Sequence, residues 1–229
     1  MGNSVLTYIL VTDKPWHDQL FNDLSKLVPG NWIRIQRKED FTCERLISLA
    51  PKWVFIPHWS EIIQNDVFSG FTCVVFHMTD LPFGRGGSPL QNLILRGHKD
   101  TMISAIKVDK GIDTGDIYLK RPLSLSGTAR EIFERSAEVI REMIRVIIYE
   151  EPAPVPQNGI ITVFKRRTPC EGDISQLKEI STVFDYIRML DCEGYPSAFI
   201  ETEYFKMEFT NASLSGGENL SANVRITKK

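Results

Sequence analysis

The sequence predicts an α/β protein with a mainly parallel sheet and helices on both faces. Three observations carry that expectation. Short apolar runs recur, each closed by a polar or Pro/Gly loop; stretches of helical period separate most of them; and together they give the order β-α-β-α-β-β-α-β-α up to Ile148. Such alternation suits strands buried on both faces of a parallel sheet.

Leu6 to Val11 reads as the first strand, closed by Thr12-Asp13-Lys14-Pro15, where Pro15 falls in the first turn of a helix. Trp16, Leu20, Leu24 and Leu27 recur at helical spacing until Pro29-Gly30. Trp32 to Gln36 is the second strand. Phe41 to Leu49 is a short helix with Asp40 or Thr42 as cap, and Trp53 to Pro57 the third strand. Thr72 to Phe76 follows as a buried strand and opens into a glycine-rich loop from His77 to Gly87. Ser88, Pro89 and Gln91 form a capping-box start and Gly97 a stop. Met102 to Val108 is the next strand. Thr128 and Glu131 form a second capping box, opening an amphipathic helix through Ile132, Phe133, Val139, Ile140, Met143 and Ile147. Pro152, Pro154 and Pro156 end this unit, with one more strand read at Ile160 to Phe164. A short helix over Phe184, Ile187 and Leu190 and hairpin strands at Ala198–Ile200 and Phe205–Phe209 follow, then Val224 to Ile226. The expected organisation is a catalytic domain over 1–158 and a small α+β extension over 159–229.

Composition narrows the function classes. The chain has 229 residues, 42% hydrophobic and 24% charged, with a formal net charge of -2. That balance argues against a surface built to neutralise many phosphates. Cys43, Cys73, Cys170 and Cys192 contain no CxxC pair, so free thiols are expected rather than a metal site, with Cys73 buried in its strand. Met1 to Leu6 lacks the features of a secretory leader, and Leu6 stands where a myristoylation motif wants Ser or Thr. No apolar run reaches membrane-spanning length, and a cytoplasmic location is expected.

His77 and Asp113 each stand in a loop at a strand end, where open α/β sheets hold ligands. Gly84, Gly86 and Gly87 permit close backbone approach, and a carboxylate beside a histidine orients its ring. The residues alone read equally as a catalytic pair and as a structural histidine beside an Asp/Gly turn.

The run His77-Met78-Thr79-Asp80-Leu81-Pro82, then Arg85-Gly86-Gly87-Ser88-Pro89-Leu90-Gln91, then Gly111-Ile112-Asp113-Thr114-Gly115-Asp116, resembles the folate-dependent formyltransferases, most densely over Trp53 to Ile148. The resemblance implies a Rossmann-like fold, N10-formyltetrahydrofolate as co-substrate, no metal, and catalytic roles for His77 and Asp113. It also implies a pterin held against two loops, one carrying His58, Trp59, Ser60 and Glu61, the other Lys110, Gly111, Ile112 and Asp113. The family's asparagine, two positions before the histidine, is Val75 here. His58 is the first candidate to replace it, followed by Thr79 and Ser60.

Lys14, Thr79, Arg85, Gly86 and Gly87 are candidate substrate contacts, although Lys14 and Arg85 read equally as surface charges. Tyr195 and Phe199 suit either base stacking or a small core. The segments Asp13-Lys14-Pro15-Trp16 and Ile187 to Pro196 resemble sugar N-formyltransferases, and the C-terminal part is neither long nor basic. The expected acceptor is therefore a nucleotide-linked amino sugar for surface polysaccharide, with no nucleic acid or membrane partner and with dimerisation a family-level expectation. A carrier-bound aminoacyl group, methionyl-tRNA, or an inactive folate-binding relative are the alternatives.

Overall fold

The computed structural model describes residues 5–229; the reading of Met1 to Ser4 as lacking a leader lies outside them. The strands are β1 (Thr7–Val11), β2 (Asn31–Ile35), β3 (Trp53–Ile56), β4 (Cys73–His77), β5 (Arg85–Gly86), β6 (Asp100–Lys107), β7 (Ile117–Ser124), β8 (Val163–Phe164), β9 (Ala198–Glu201), β10 (Phe205–Ser215) and β11 (Asn219–Lys228). The helices are α1 (Asp18–Leu27), α2 (Cys43–Leu49), α3 (Asn65–Gly70), α4 (Pro89–Leu95), α5 (Ala129–Glu150) and α6 (Ile180–Leu190). Two compact units result. One comprises Met1–Gly86, Met102–Leu123 and Glu134–Val163; the other comprises Gly87–Thr101, Ser124–Phe133 and Phe164–Lys229. This division differs from a single cut after residue 158, because 87–101 and 124–133 cluster with the C-terminal residues.

The first unit is a six-stranded sheet of order β2-β1-β3-β4-β6-β7. β1 pairs parallel with β2 and β3, and β3 parallel with β4, while β6 runs antiparallel to β4. Side-chain alternation splits each strand between two cores. Ile9, Val11, Val54, Ile56 and Cys73 pack with Leu46 of α2 and Val67 of α3. The alternate positions Tyr8, Leu10, Phe55 and Phe76 are also buried. Rings of Tyr8, Trp32, Phe55 and Phe76 form a chain of contacts with centroids 5.0–6.4 Å apart. The expected mainly parallel, helix-covered sheet is thus the one observed.

Three elements were absent from the sequence reading, α3, β7 and the two-residue β5, which falls inside the stretch read as a glycine-rich loop. α3 buries only Val67, too few anchors to generate a helical period. β7 contains Lys120-Arg121-Pro122, which breaks an apolar strand pattern and is tolerated because β7 is the sheet edge.

In the second unit, α4 and α6 pack together, and Gln91 Nε2 donates to the Met189 carbonyl at 3.1 Å. That bond explains why the capping box expected at Ser88 does not form. Ser88 sits at φ 51°, and its hydroxyl instead accepts from Arg167 N at 3.0 Å. The second expected box does form, between Thr128 and Glu131. β9, β10 and β11 make an antiparallel sheet that α6 packs against. Tyr195 stacks on Phe133 at 5.4 Å, and Lys206 lies over the Phe199 ring at 4.8 Å. Cys43, Cys73, Cys170 and Cys192 form no disulfide, and Cys73 is buried. Among the described residues no helix is long and apolar enough to cross a membrane.

Candidate active site

Parallel strands bring their C-terminal ends to one edge of a sheet, so β1, β3 and β4 open there at Thr12, Pro57 and Met78. The chemistry-bearing side chains of the first unit divide between two clusters.

The first forms around His77, the last residue of β4 and 7% exposed. Its Nε2 lies 2.7 Å from the Gly84 carbonyl and its Nδ1 lies 3.4 Å from Asp113 Oδ2. Both ring nitrogens therefore face oxygen acceptors. Asp113 Oδ2 also accepts from the Gly86 amide at 2.8 Å. The sequence-predicted residues His77, Gly86 and Asp113 are thus brought together. Thr79 is fully buried, and its hydroxyl donates at 3.3 Å to the Gly84 carbonyl that His77 also meets. Ser104, directly across the ladder from His77, donates at 2.7 Å to the Thr79 carbonyl and accepts from Leu81 N.

The Asp113 loop is held in an unusual backbone geometry. Asp113 has φ 54°, in the left-handed region that non-glycine residues seldom occupy. At Gly115 a Cβ would sit 1.6 Å from the Lys107 carbonyl oxygen, so only glycine fits there. Asp109 Oδ1 accepts from Gly111 N at 3.0 Å, an Asx-type closure of the turn. Gln157 completes the enclosure. Its Nε2 donates to the carbonyls of Asp113 and Gly115, each at 2.8 Å, and its Oε1 accepts from Arg85 Nε and Nη2 at 3.1 and 2.8 Å. Sequence reading missed Ser104 and Gln157, which left no local signal, and placed Asp109 only within the 108–113 loop, not as the residue that closes its turn.

Val75 shares a strand face with His77. It pairs with Ile56 and Ile106 and packs among apolar neighbours, so an apolar side chain fills the place of an amide. His58 lies in the second cluster. Its ring centroid is 5.6 Å from Trp16 and 6.5 Å from His17. His17 is buried, with Nδ1 2.7 Å from Thr12 Oγ1. Arg34 closes over the same turn, donating to the carbonyls of Thr12 and Lys14 and pairing with Asp18 at 2.6 Å. Burial, then the nearby His58, Arg34 and Lys14, hold the His17 pKa well below the ordinary value of 6.5. Lys14 pairs with Asp13 at 3.2 Å.

Trp59, from the loop after β3, meets Phe41 edge-on at 5.9 Å and with Ile62 lines a groove of about 370 Å³. Lys38 and Glu61 pair at 2.6 Å on its rim. Ser60, Glu61, Lys110, Gly111 and Ile112 are exposed. Among the described residues no group of three or more His, Cys, Asp or Glu is placed to hold a metal ion.

Fold and site together define a one-carbon transferase of the formyltransferase class. The model for the C-terminal domain of methionyl-tRNA formyltransferase matches residues 169–227. The solved structure of methionyl-tRNA formyltransferase from Clostridium thermocellum is 47% identical with TM-score 0.95, covering 98% of this chain and 100% of that one. This chain belongs to the formyltransferase family.

Methionyl-tRNA formyltransferase from Campylobacter curvus is 24% identical over 80% of this chain, which spans 62% of that protein's length. A 4-N formyltransferase from Francisella tularensis is 12% identical with TM-score 0.64, covering 86% of this chain and 93% of that one, a likeness of fold alone. These findings correct the acceptor expected from sequence. The reading of a nucleotide-linked amino sugar, surface polysaccharide and no nucleic-acid partner is overturned by the match to proteins named for methionyl-tRNA. It rested on the likeness of Asp13-Lys14-Pro15-Trp16 and Ile187 to Pro196 to sugar N-formyltransferases and on the lack of a long basic C-terminal domain. Residues 169–227 nonetheless match the model for that domain.

Proposed function

We propose that this chain transfers a formyl group from N10-formyltetrahydrofolate to the amine of methionyl-tRNA. The observation that carries this reading is the 47% identity, over nearly the whole of both chains, to a methionyl-tRNA formyltransferase. The groove of Phe41, Trp59 and Ile62 suits the aromatic body of a folate, and the exposed backbone at 110–112 suits its polar edge.

His77 and Asp113 are the catalytic pair. The amine attacks the formyl carbon, and the His77 Nε2–H turns from the Gly84 carbonyl to donate to the oxyanion that develops. Asp113 holds the imidazolium and draws the amine proton away. Collapse of the tetrahedral adduct breaks the bond from the formyl carbon to N10, and His77 delivers the proton to that nitrogen. Val75 leaves His77 without a neighbouring amide donor, and the His58 ring packs with Trp16 and His17. In this reading His77 is the oxyanion donor. Arg85, held by a neutral amide rather than a carboxylate, keeps its charge for an anionic group of a substrate.

One observation favours a second acceptor, an aminoacyl group on a carrier. Residues 169–227 hold four Lys/Arg against ten Asp/Glu, few cations for a polyphosphate chain. The deciding test supplies formyl-folate with methionyl-tRNA or with carrier-bound aminoacyl substrate and follows N-formyl product by mass spectrometry. Formyl-methionyl-tRNA is the expected product, and formylation of the carrier substrate alone overturns the acceptor assignment. Folate binding with no transfer to either identifies an inactive relative.

A further inference from the structure

The Gln157 amide uses its full hydrogen-bonding capacity. A glutamine offers two N–H donors and two lone pairs on its oxygen. Here both donors reach carbonyls, of Asp113 and Gly115, and the oxygen receives two guanidinium N–H groups of Arg85. Carbonyl acceptors on one side and guanidinium donors on the other leave a single sensible orientation of the amide. The two donors grip the carbonyl of Asp113 and the next but one, in the stretch where the backbone enters the left-handed region at φ 54°. Without such a grip, a non-glycine residue in that region relaxes toward commoner conformations. Asp113 Oδ2 would then lose its alignment with the Gly86 amide and the His77 ring.

The chain delivers Gln157 to this point by construction. Pro152, Pro154 and Pro156 stiffen an extended segment, and Val155 between them exchanges backbone hydrogen bonds with Ile117 at 2.8 and 2.9 Å. Gln157 follows two residues later, level with both loops.

We propose that Gln157 is the positioning residue of the formyl-transfer site, locking the Asp113 loop and the Arg85 side chain to each other so that carboxylate and imidazole meet in register. The proposal rests on the transferase reading, and its test separates the two. In the full chain, Gln157→Met keeps the volume and removes all four bonds. Gln157→Glu keeps the acceptors for Arg85 but faces the Asp113 and Gly115 carbonyls with oxygens. Each variant is measured by thermal unfolding, by amide hydrogen exchange of residues 109–116 and the Gly86 N–H, and by steady-state formyl transfer from N10-formyltetrahydrofolate to methionyl-tRNA.

Both variants are expected to unfold near the wild-type temperature. Loop exchange should accelerate about tenfold or more, since two hydrogen bonds holding the loop are lost. kcat should fall about 10- to 100-fold, as expected for misplaced catalytic groups, while the KM for the formyl donor stays within about threefold of wild type. Loop exchange that accelerates while kcat is unchanged overturns the positioning role, as does a Gln157→Glu variant indistinguishable from wild type. If wild type transfers no formyl group yet the loop loosens in both variants, the transferase reading fails and the clamp stands.

Discussion

Two histidines stand at the same edge of one sheet, His77 ending β4 and His17 ending the helical turn before α1, and are put to opposite uses by their surroundings. His77 faces a carbonyl through one nitrogen and a carboxylate through the other, with Asp113 itself anchored by the Gly86 amide. His17 is as deeply buried but has a hydroxyl on Nδ1, with the cations Arg34 and Lys14 and the His58 ring nearby. An acidic partner stabilises imidazolium, whereas burial among cations stabilises the neutral ring. Residue type and burial thus say little about a histidine's task; the charge of its partners says most. His58, at the end of the intervening strand, shares the second environment through its ring contacts with Trp16 and His17.

The sharpest break of this comparison is His77→Ala. Loss of an oxyanion donor is expected to lower kcat by about 10²–10³ with folding intact; near-wild-type turnover would remove His77 from the chemistry. Asp113→Asn is next. It keeps the shape and discards the charge, and kcat is expected to fall about a hundredfold, in the range for a positioned proton-transfer group. Steady-state kinetics on both variants, alongside circular dichroism, check the pair. An equal loss from His17→Gln would erase the contrast, because His17 is expected to leave kcat within about threefold once a Gln amide replaces its bond to Thr12.

The His17 pocket is instead expected to report on stability. Because its pKa is depressed in the folded protein, the unfolded chain binds the proton more readily below 6.5. Its stabilising contribution is therefore full above that pH and is lost as pH falls toward the folded value. The limiting slope is about 1.4 kcal/mol per pH unit for one proton. Urea denaturation between pH 7 and 5 should show stability falling ever more steeply toward that limit below pH 6.5 in wild type, and a shallower fall in His17→Gln. The smallest effect concerns Cys73, whose thiol pKa burial pushes up to about 12. In native protein it should resist alkylation at pH 8 while exposed Cys170 reacts, as peptide mass mapping would record.

Much of the sheet was legible because most of its strands are apolar runs and because α1 and α5 carry a clear helical period. The Thr128–Glu131 box formed as written, each side chain accepting from the other residue's amide. The Ser88–Gln91 box did not, because the Ser88 hydroxyl and the Gln91 amide found partners far along the chain, in Arg167 and Met189. A local rule cannot see such competition. In the site, the loops bearing His77 and Asp113 stood out by their glycines and polar residues, and the resemblance singled out that pair. Which amine the enzyme takes was misread, because a short acidic C-terminal part was taken as the absence of a domain that residues 169–227 in fact match.

What the sequence determined by itself was therefore the run of strands and helices, the two loops, and the substitution at Val75. Those depend on side-chain period and on residue identity, both local. Only the tertiary structure decided that His58 packs with His17 and Trp16, that Asp113 is held in a left-handed turn, and that Gln157 bridges it to Arg85. Those outcomes turn on which partner a polar group meets when residues 44 and 72 positions apart are brought within 3 Å. Hydrogen-bond geometry of that kind is set by the packing of the sheet and not by any neighbour in the chain.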